Sequence, residues 1–238
     1  MKNFEFKIFR GDVDLARAAA RDWLDLLGKS FAAQQVALSG GRIARNFFCA
    51  VADLAKTSRV SLQGVDFFWA DERCVPPDHP DSNYLLAQEN LFGPLEIAPA
   101  KIHRLKGELP PDAAVAEANA TIQKIAARNS AGVPVLDLIF LGLGEDGHIA
   151  SLMPNAPSSV VNSPAAYVRI ADSPKPPPDR ISLSCASIAA AKNVWVLVSG
   201  AGKEEALRQS LRPDAATPFG RVLRSRAQTV IYSDIGLV

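Results

Sequence analysis

The stretch LDLIFLGLGEDGHIASLMP, residues 136–154, joins a strand-like apolar run to a loop with three glycines, two acids and a histidine. The nearly continuous apolar run is typical of a strand buried on both faces of a parallel sheet. Gly142, Gly144 and Gly147 spell G-x-G-x-x-G, the dinucleotide-binding fingerprint. The loop therefore either binds a cofactor or presents His148.

Short apolar runs alternate with helical patterns on both sides of this stretch. Such alternation is typical of an α/β fold, in which helices join the strands of a parallel sheet. Asp112 is predicted to cap one helix. We expect one domain over residues 1–238, a doubly wound, mostly parallel sheet with helices on both faces. The predicted strands are 4–9, 35–38, 65–70, 135–143, 165–171, 180–184, 193–200 and 228–233, and the predicted helices are 12–34, 43–56, 83–92, 112–129 and 202–212.

The composition argues against several classes of protein. The chain has 238 residues, 48% of them hydrophobic, which is enough for a substantial core. Its 26 basic and 25 acidic residues lack the basic excess of a nucleic-acid binder. Three scattered cysteines predict neither a disulfide framework nor a zinc site. No apolar run is long enough to span a bilayer, and the N-terminal residues lack a signal-peptide core. We expect a soluble, cytoplasmic protein without nucleic-acid or membrane partners; its oligomeric state stays open, a monomer included.

Four apolar strands end in glycine-rich or charged loops that run into helices: VALSGGR, FFWADER, IFLGLGEDGH and VLVSGAGK. Ligands of open α/β sheets bind outside the carboxyl ends of the strands, so the four loops can share one crevice. Glycine N–H groups at the start of a helix suit a phosphate. The predicted ligand is a small phosphorylated metabolite. The loops supply Arg42, Arg73 and Lys203 for an anion, and Asp71, Asp146 and His148 for proton chemistry.

Each loop signal also has an ordinary structural interpretation. A dinucleotide site needs a full helix after Gly147 and an acid about 20 residues further on. Pro154 follows too soon for such a helix, so we expect no cofactor. The S-G-G segment is also compatible with a tight strand-to-helix turn, and Lys203 with a solvated lysine. G-A-G-K does not match the P-loop pattern.

Among the three histidines, His148 has the setting of a catalytic group, because it follows the most apolar strand and an acid. A helix-capping or surface role is the alternative. His103 and His79 are expected to be structural or solvated, with His79 a candidate contact at the rim of the site. Cys74 lacks a neighbouring base, so a thiolate nucleophile is disfavoured. Arg73 is also compatible with a simple ion pair to one of the acids before it.

Three segments in this order, FFWADERCVPPDHPDSNY, GLGEDGHIASLMP and VLVSGAGKEEALR, resemble the 6-phosphogluconolactonases from about residue 34 onward. The segment LSGGR matches the phosphate-loop position of that family. The segment SPKPPPDRISLS resembles its proline segment before an Arg-Ile pair. The resemblance implies the fold shared with glucosamine-6-phosphate deaminases. It also implies cofactor-free hydrolysis of 6-phospho-D-glucono-1,5-lactone in the oxidative pentose phosphate pathway.

The resemblance also implies roles for single residues. His148 corresponds to the general base, and Asp146 or Glu145 is expected to orient its ring. Glycine N–H groups of the 142–147 loop are candidates for stabilising the oxyanion, and no metal site is expected. The predicted substrate- and phosphate-binding residues are Ser39, Gly40, Gly41, Arg42, Asp71, Arg73, Gly144, Arg180 and Lys203.

The chain departs from the family pattern where Ile43-Ala44 replaces Thr-Pro after the phosphate loop and where Met153 replaces Phe. The first rival function is a sugar-phosphate deaminase or isomerase on the same scaffold. The deaminases typically have Asp-Glu-Tyr and Phe-Asn-Glu-Pro where this chain has Asp71-Glu72-Arg73 and Ser151-Leu152-Met153-Pro154. The second rival is a sugar-phosphate sensor, which would have no use for a base at His148.

Overall fold

The structure is a computed structural model that describes residues 3–29 and 32–236. The strands are β1 Phe4–Ile8, β2 Gln34–Leu38, β3 Val65–Trp69, β4 Asp71–Arg73, β5 Leu138–Gly142, β6 Tyr167–Ile170, β7 Arg180–Leu183, β8 Asn193–Val198 and β9 Thr229–Ser233. The α-helices are α1 Asp12–Gly28, α2 Arg42–Ser58, α3 Asn83–Ala87, α4 Pro111–Ile125, α5 Ser158–Val161, α6 Cys185–Ala190, α7 Glu204–Ser210 and α8 Pro218–Arg224. One π-helical turn, Gln88–Phe92, continues α3, and 3₁₀ turns occupy Pro99–Lys101 and Ala201–Lys203.

Six strands form a parallel sheet in the order β1-β9-β8-β5-β2-β3. The chain continues from β2 to β3 on one side and from β5 to β8 on the other, so β2 and β5 form a topological switch point. Parallel strands are almost always joined by right-handed crossovers, and crossovers that run in opposite directions from a switch point put helices on both faces of a sheet. Helices α1 and α2 pack together, as do α7 and α8. The predicted α/β fold with a mostly parallel sheet is confirmed.

An aromatic cluster packs α1 and α2 onto the middle of this sheet. The Trp23 ring of α1 lies 5.9 Å from Phe47 of α2 and 5.2 Å from Phe140 of β5, measured between ring centroids. Phe47 and Phe140 are 4.4 Å apart. All three side chains are buried. Burying such large rings strongly stabilises the fold. The packing of Phe140 also fixes the end of β5, from which the glycine loop begins.

Three further strands form a second, antiparallel sheet in the order β4-β7-β6. It joins the main sheet through Ala70, whose N–H donates to Leu38 O and whose carbonyl accepts from Leu183 N, both at 2.7 Å. The prediction of Asp71-Glu72-Arg73 as a loop was therefore wrong. These residues pair with Arg180–Ser182, and a short sequence window does not contain that long-range pairing.

Several predicted helix boundaries also differ from the structure. The helix predicted over 12–34 ends at Gly28, since glycine is a poor helix former, and Gln34 already belongs to β2. Ser30 and Phe31 lie outside the described residues. Asp112 is not a cap. Its helix begins at Pro111, whose fixed φ suits a first turn. The Asp112 carboxylate instead pairs with Arg169 at 3.3 Å.

Candidate active site

A polar cavity of about 310 Å³ opens at the carboxyl ends of β2, β5 and β8, beside β4. This is the switch-point position at which ligands of open α/β sheets bind. Every residue predicted to bind substrate lines it, together with His148. Its lining residues are Ser39, Gly40, Gly41, Arg42, Ile43, Asp71, Arg73, Asn83, Gly142, Leu143, Gly144, Glu145, His148, Ala150, Lys175, Pro176, Arg180, Ser199 and Lys203.

Asp146 lies behind His148 and lines a neighbouring cavity instead. Its Oδ1 is 2.5 Å from His148 Nδ1 and accepts a hydrogen bond from the His148 backbone N–H at 3.2 Å. Partial burial opposes ionisation of Asp146, but the charge and hydrogen bonds of His148 outweigh it and lower the Asp146 pKa. Because a carboxylate can only accept a hydrogen bond, we assign the ring proton to Nδ1 of His148. Nε2 is then the ring nitrogen that can accept a proton from a group in the cavity.

The glycines of this loop make room for the histidine. A Cβ on Gly144 would lie 2.0 Å from His148 Nδ1, and Gly147 has a φ of +81°, which favours glycine. Gly144 N–H also donates to His148 O at 2.9 Å and closes the loop. The chain after Gly147 forms turns and an isolated bridge, and the next helix is the short α5. A dinucleotide loop would need a full helix there, so the glycines present His148.

Five cationic side chains line the cavity against the acids Asp71 and Glu145. Burial lowers the pKa of Lys203, and nearby Arg42 lowers it further. Burial likewise lowers the pKa of Arg180, with a contribution from Arg73. Neighbouring cations repel each other, which destabilises their charged forms. An anion that binds between them relieves this repulsion. The five are Arg42, Arg73, Lys175, Arg180 and Lys203.

Hydrogen bonds to neighbouring segments hold three of these cations. Arg73 Nη1 donates to Asp81 O at 2.7 Å, and Arg42 pairs with Asp12 at 3.1 Å. Arg180 donates from Nη2 to Lys175 O at 2.7 Å and from Nε to Pro177 O at 3.1 Å. Arg180 thus holds the proline-rich segment that brings Lys175 to the cavity, a role that the sequence does not reveal.

Helix α2 begins at the cavity directly after Gly40 and Gly41. Gly41 has a φ of +97°, and no side chain caps the first turn of this 17-residue helix. Its N-terminal N–H groups and helix dipole therefore favour an anion. Ser39, in contrast, donates its hydroxyl to Phe140 O at 2.9 Å and joins β2 to β5. Asp71 is buried and accepts from Ser151 Oγ at 2.7 Å.

Asn83, Lys175 and Ser199 also line the cavity, although the sequence patterns did not predict them there. Asn83 is placed by the buried carboxylate of Glu72, which accepts from the N–H groups of Arg73, Asn83 and Tyr84, each at 2.8 Å. A buried acid before a turn indicates a carboxylate that binds backbone N–H groups. Two of the groups that Glu72 binds, those of Asn83 and Tyr84, lie eleven and twelve positions later in the sequence.

The remaining candidates lie outside the cavity. Burial raises the pKa of Cys74 to about 11, so its thiol stays protonated at neutral pH. His103 Nε2 lies 3.0 Å from Asp66 Oδ1, and His79 Nδ1 accepts from the Asp81 N–H at 3.1 Å. Within residues 3–29 and 32–236, no group of three or more His, Cys, Asp or Glu side chains could hold a metal ion. Nor does any helix in this part of the chain have the length and hydropathy to cross a membrane.

Residues 11–231 match the family described as glucosamine-6-phosphate isomerases/6-phosphogluconolactonase. The chain therefore belongs to this family.

Relatives and solved structures agree with this assignment. The chain is 36% identical over 222 residues to a protein of Oryza sativa subsp. indica named "Probable 6-phosphogluconolactonase 4, chloroplastic". That match covers 87% of this chain and 66% of the rice protein, so the chain spans slightly less than two thirds of that relative. It is 34% identical over 210 residues to the 6-phosphogluconolactonase of Treponema pallidum, covering 86% and 85%. The 6-phosphogluconolactonase structure from Trypanosoma brucei superposes with a TM-score of 0.82 at 26% identity, covering 98% and 96%.

Proposed function

We propose that this chain hydrolyses 6-phospho-D-glucono-1,5-lactone to 6-phospho-D-gluconate, as in the oxidative pentose phosphate pathway. The observation that carries the proposal is the Asp146–His148 pair, 2.5 Å apart, beside a cavity with an excess of cations. The family and the names of its relatives support the same activity. A base next to an anion-binding cavity suits a phosphorylated ester.

His148 activates the water in the proposed reaction. Nε2 takes a proton from water as the water oxygen bonds to the lactone carbonyl carbon. The Asp146 carboxylate stabilises the imidazolium that forms. The tetrahedral intermediate then collapses, the bond from that carbon to the ring oxygen breaks, and His148 returns the proton to the departing oxygen. Backbone N–H groups of the 142–147 loop stabilise the negative charge on the former carbonyl oxygen.

The cations and the start of α2 hold the phosphate in this proposal. Arg42, Arg73 and Lys203 line the same cavity as Gly40 and Gly41. The phosphate lies on carbon 6, away from the reacting carbon, so binding energy there positions the lactone. A δ-lactone is an activated ester, and we therefore propose no metal or cofactor in the reaction. We further propose a single domain over residues 1–238, acting in the cytoplasm.

A rapid assay of 6-phosphogluconolactone decay, corrected for spontaneous hydrolysis, tests the proposed function. The unmodified chain should accelerate decay, and His148→Ala should lower kcat by roughly 10²- to 10⁴-fold, the usual contribution of a general base. His103→Ala is the matched control, because His103 pairs with Asp66 outside the cavity. Equal activity of the two variants would refute the role of His148. Release of ammonia from glucosamine 6-phosphate without lactonase activity would refute the proposed function.

A further inference from the structure

Asn83 lines the cavity and has a side-chain oxygen that accepts no hydrogen bond from the described residues. Its side chain is 2% exposed and lines the cavity between β4 and the Gly40-Gly41 loop. Nδ2 donates to Asp71 O at 2.9 Å, which determines the orientation of the amide. Among the described residues, none donates a hydrogen bond to Oδ1. The neutral oxygen is therefore available to a ligand.

The amide oxygen lies directly against the phosphate-binding loop. A Cβ on Gly40 would lie 1.8 Å from Asn83 Oδ1 and 2.4 Å from Cγ, so Gly40 is the residue that leaves room for the amide. Asn83 thus approaches the cavity beside the loop that we propose for the phosphate.

A buried clamp fixes the backbone of Asn83. The Glu72 carboxylate accepts from Asn83 N and Arg73 N through Oε1, and from Tyr84 N through Oε2, each at 2.8 Å. Oε2 also accepts from Ser82 Oγ at 3.1 Å. An acceptor held in this way loses little conformational freedom when a ligand binds.

We infer that Asn83 Oδ1 accepts a hydrogen bond from a ring hydroxyl of the sugar lactone. The inference rests on the proposed function, and it assigns to Asn83 a part in substrate selection. An amide oxygen accepts hydrogen bonds, so it gains nothing from a phosphate dianion, which has no proton to donate. A sugar hydroxyl is a donor. Because Asn83 adjoins the phosphate loop, the hydroxyl is the one on carbon 3 or carbon 4, on the phosphate side of the ring.

A comparison of variants and substrates tests this contact. We would measure kcat/KM of the unmodified chain and of Asn83→Ala on 6-phosphogluconolactone and on its 2-deoxy, 3-deoxy and 4-deoxy analogues. One lost hydrogen bond should lower kcat/KM for the parent substrate by about ten-fold. For one of two analogues, the 3-deoxy or the 4-deoxy compound, the substitution should have little effect on kcat/KM. That analogue has already lost the hydroxyl that donates to Asn83. An equal loss on all four substrates would overturn the inference.

Gly40→Ala provides a control that does not depend on catalysis. Its new Cβ collides with Asn83 Oδ1, so the substitution should lower the thermal unfolding temperature of the unmodified chain and have much less effect in the Asn83→Ala background. Additive effects would show that the amide does not lie against Gly40, which would also overturn the inference.

Binding measurements separate the two proposals. Titration calorimetry with 6-phosphogluconate and its deoxy analogues repeats the comparison without turnover. A chain that is inactive on the lactone but shows the deoxy-dependent effect of Asn83→Ala would refute the proposed function alone. An active chain without that effect in kinetics would refute the inference alone.

Discussion

Gly144→Ala adds one methyl group directly beside the proposed base. The new Cβ would lie 2.0 Å from His148 Nδ1, 2.1 Å from Cε1 and 2.7 Å from Asp146 Oδ1. Ordinary contacts begin at 3.4 Å, so the imidazole must move by more than an ångström or the loop must shift. A misplacement of about 1 Å in a catalytic group costs about 10²-fold in rate. We therefore expect kcat to fall by about 100-fold or more.

The assay follows acid release from freshly generated 6-phosphogluconolactone, with spontaneous hydrolysis subtracted. Circular dichroism and thermal unfolding establish that the variant is folded, since overpacking of this kind costs about 1–3 kcal/mol. Gly28→Ala is the matched control: no heavy atom beyond its own helix and chain neighbours lies within 4 Å of the new Cβ, at the end of α1. A folded Gly144→Ala variant with kcat within about three-fold of the unmodified chain would refute the placement of His148 as the base.

Four further substitutions test the site and the buried acid that supports it. Asp146→Asn keeps the shape of the side chain but removes the negative charge beside the imidazolium. Because the Asp146 side chain is 43% exposed, we expect kcat to fall by only about ten-fold and KM to stay nearly constant. An unchanged kcat would contradict the pairing of Asp146 with His148. Arg73→Ala and Lys203→Ala should each raise KM for the phosphorylated lactone by about ten-fold or more and spare plain gluconolactone, whereas equal losses on both substrates would show that neither cation binds the phosphate. Burial raises the pKa of Glu72 to about 7, although backbone N–H groups lower it, so the folded chain binds the proton more tightly than the unfolded chain. The contribution of Glu72 to the free energy of unfolding should fall as pH rises from 4.5 to about 7, and denaturant titrations should show that Glu72→Gln lacks this slope.

The sequence predicted the parts of the molecule that short segments determine. The main-sheet strands follow from apolar runs, and His148 and Asp146 are two positions apart, so one loop contains the whole pair. Helix α8 was missed, although Thr217 and Pro218 mark its start as an N-cap and a first-turn proline.

Long-range contacts determine the parts that were missed. Strand β4 exists because it pairs with β7 from a distant part of the chain. Asn83 reaches the cavity because Glu72 holds its backbone, and Lys175 because Arg180 holds its carbonyl. Local propensity carries no information about such partners, so these residues could not be assigned from the sequence alone.

The pairing of β1 with β9 has a consequence for biosynthesis. Within the described sheet β1 neighbours β9 alone, and Phe4 pairs with Thr229, more than two hundred positions later. A ribosome therefore releases the first strand long before its partner exists. During that interval the apolar Phe4, Phe6 and Phe9 lack the core against which they finally pack. Nascent chains stalled before residue 229 should consequently bind holdase chaperones through this segment, and chains extended past β9 should release them.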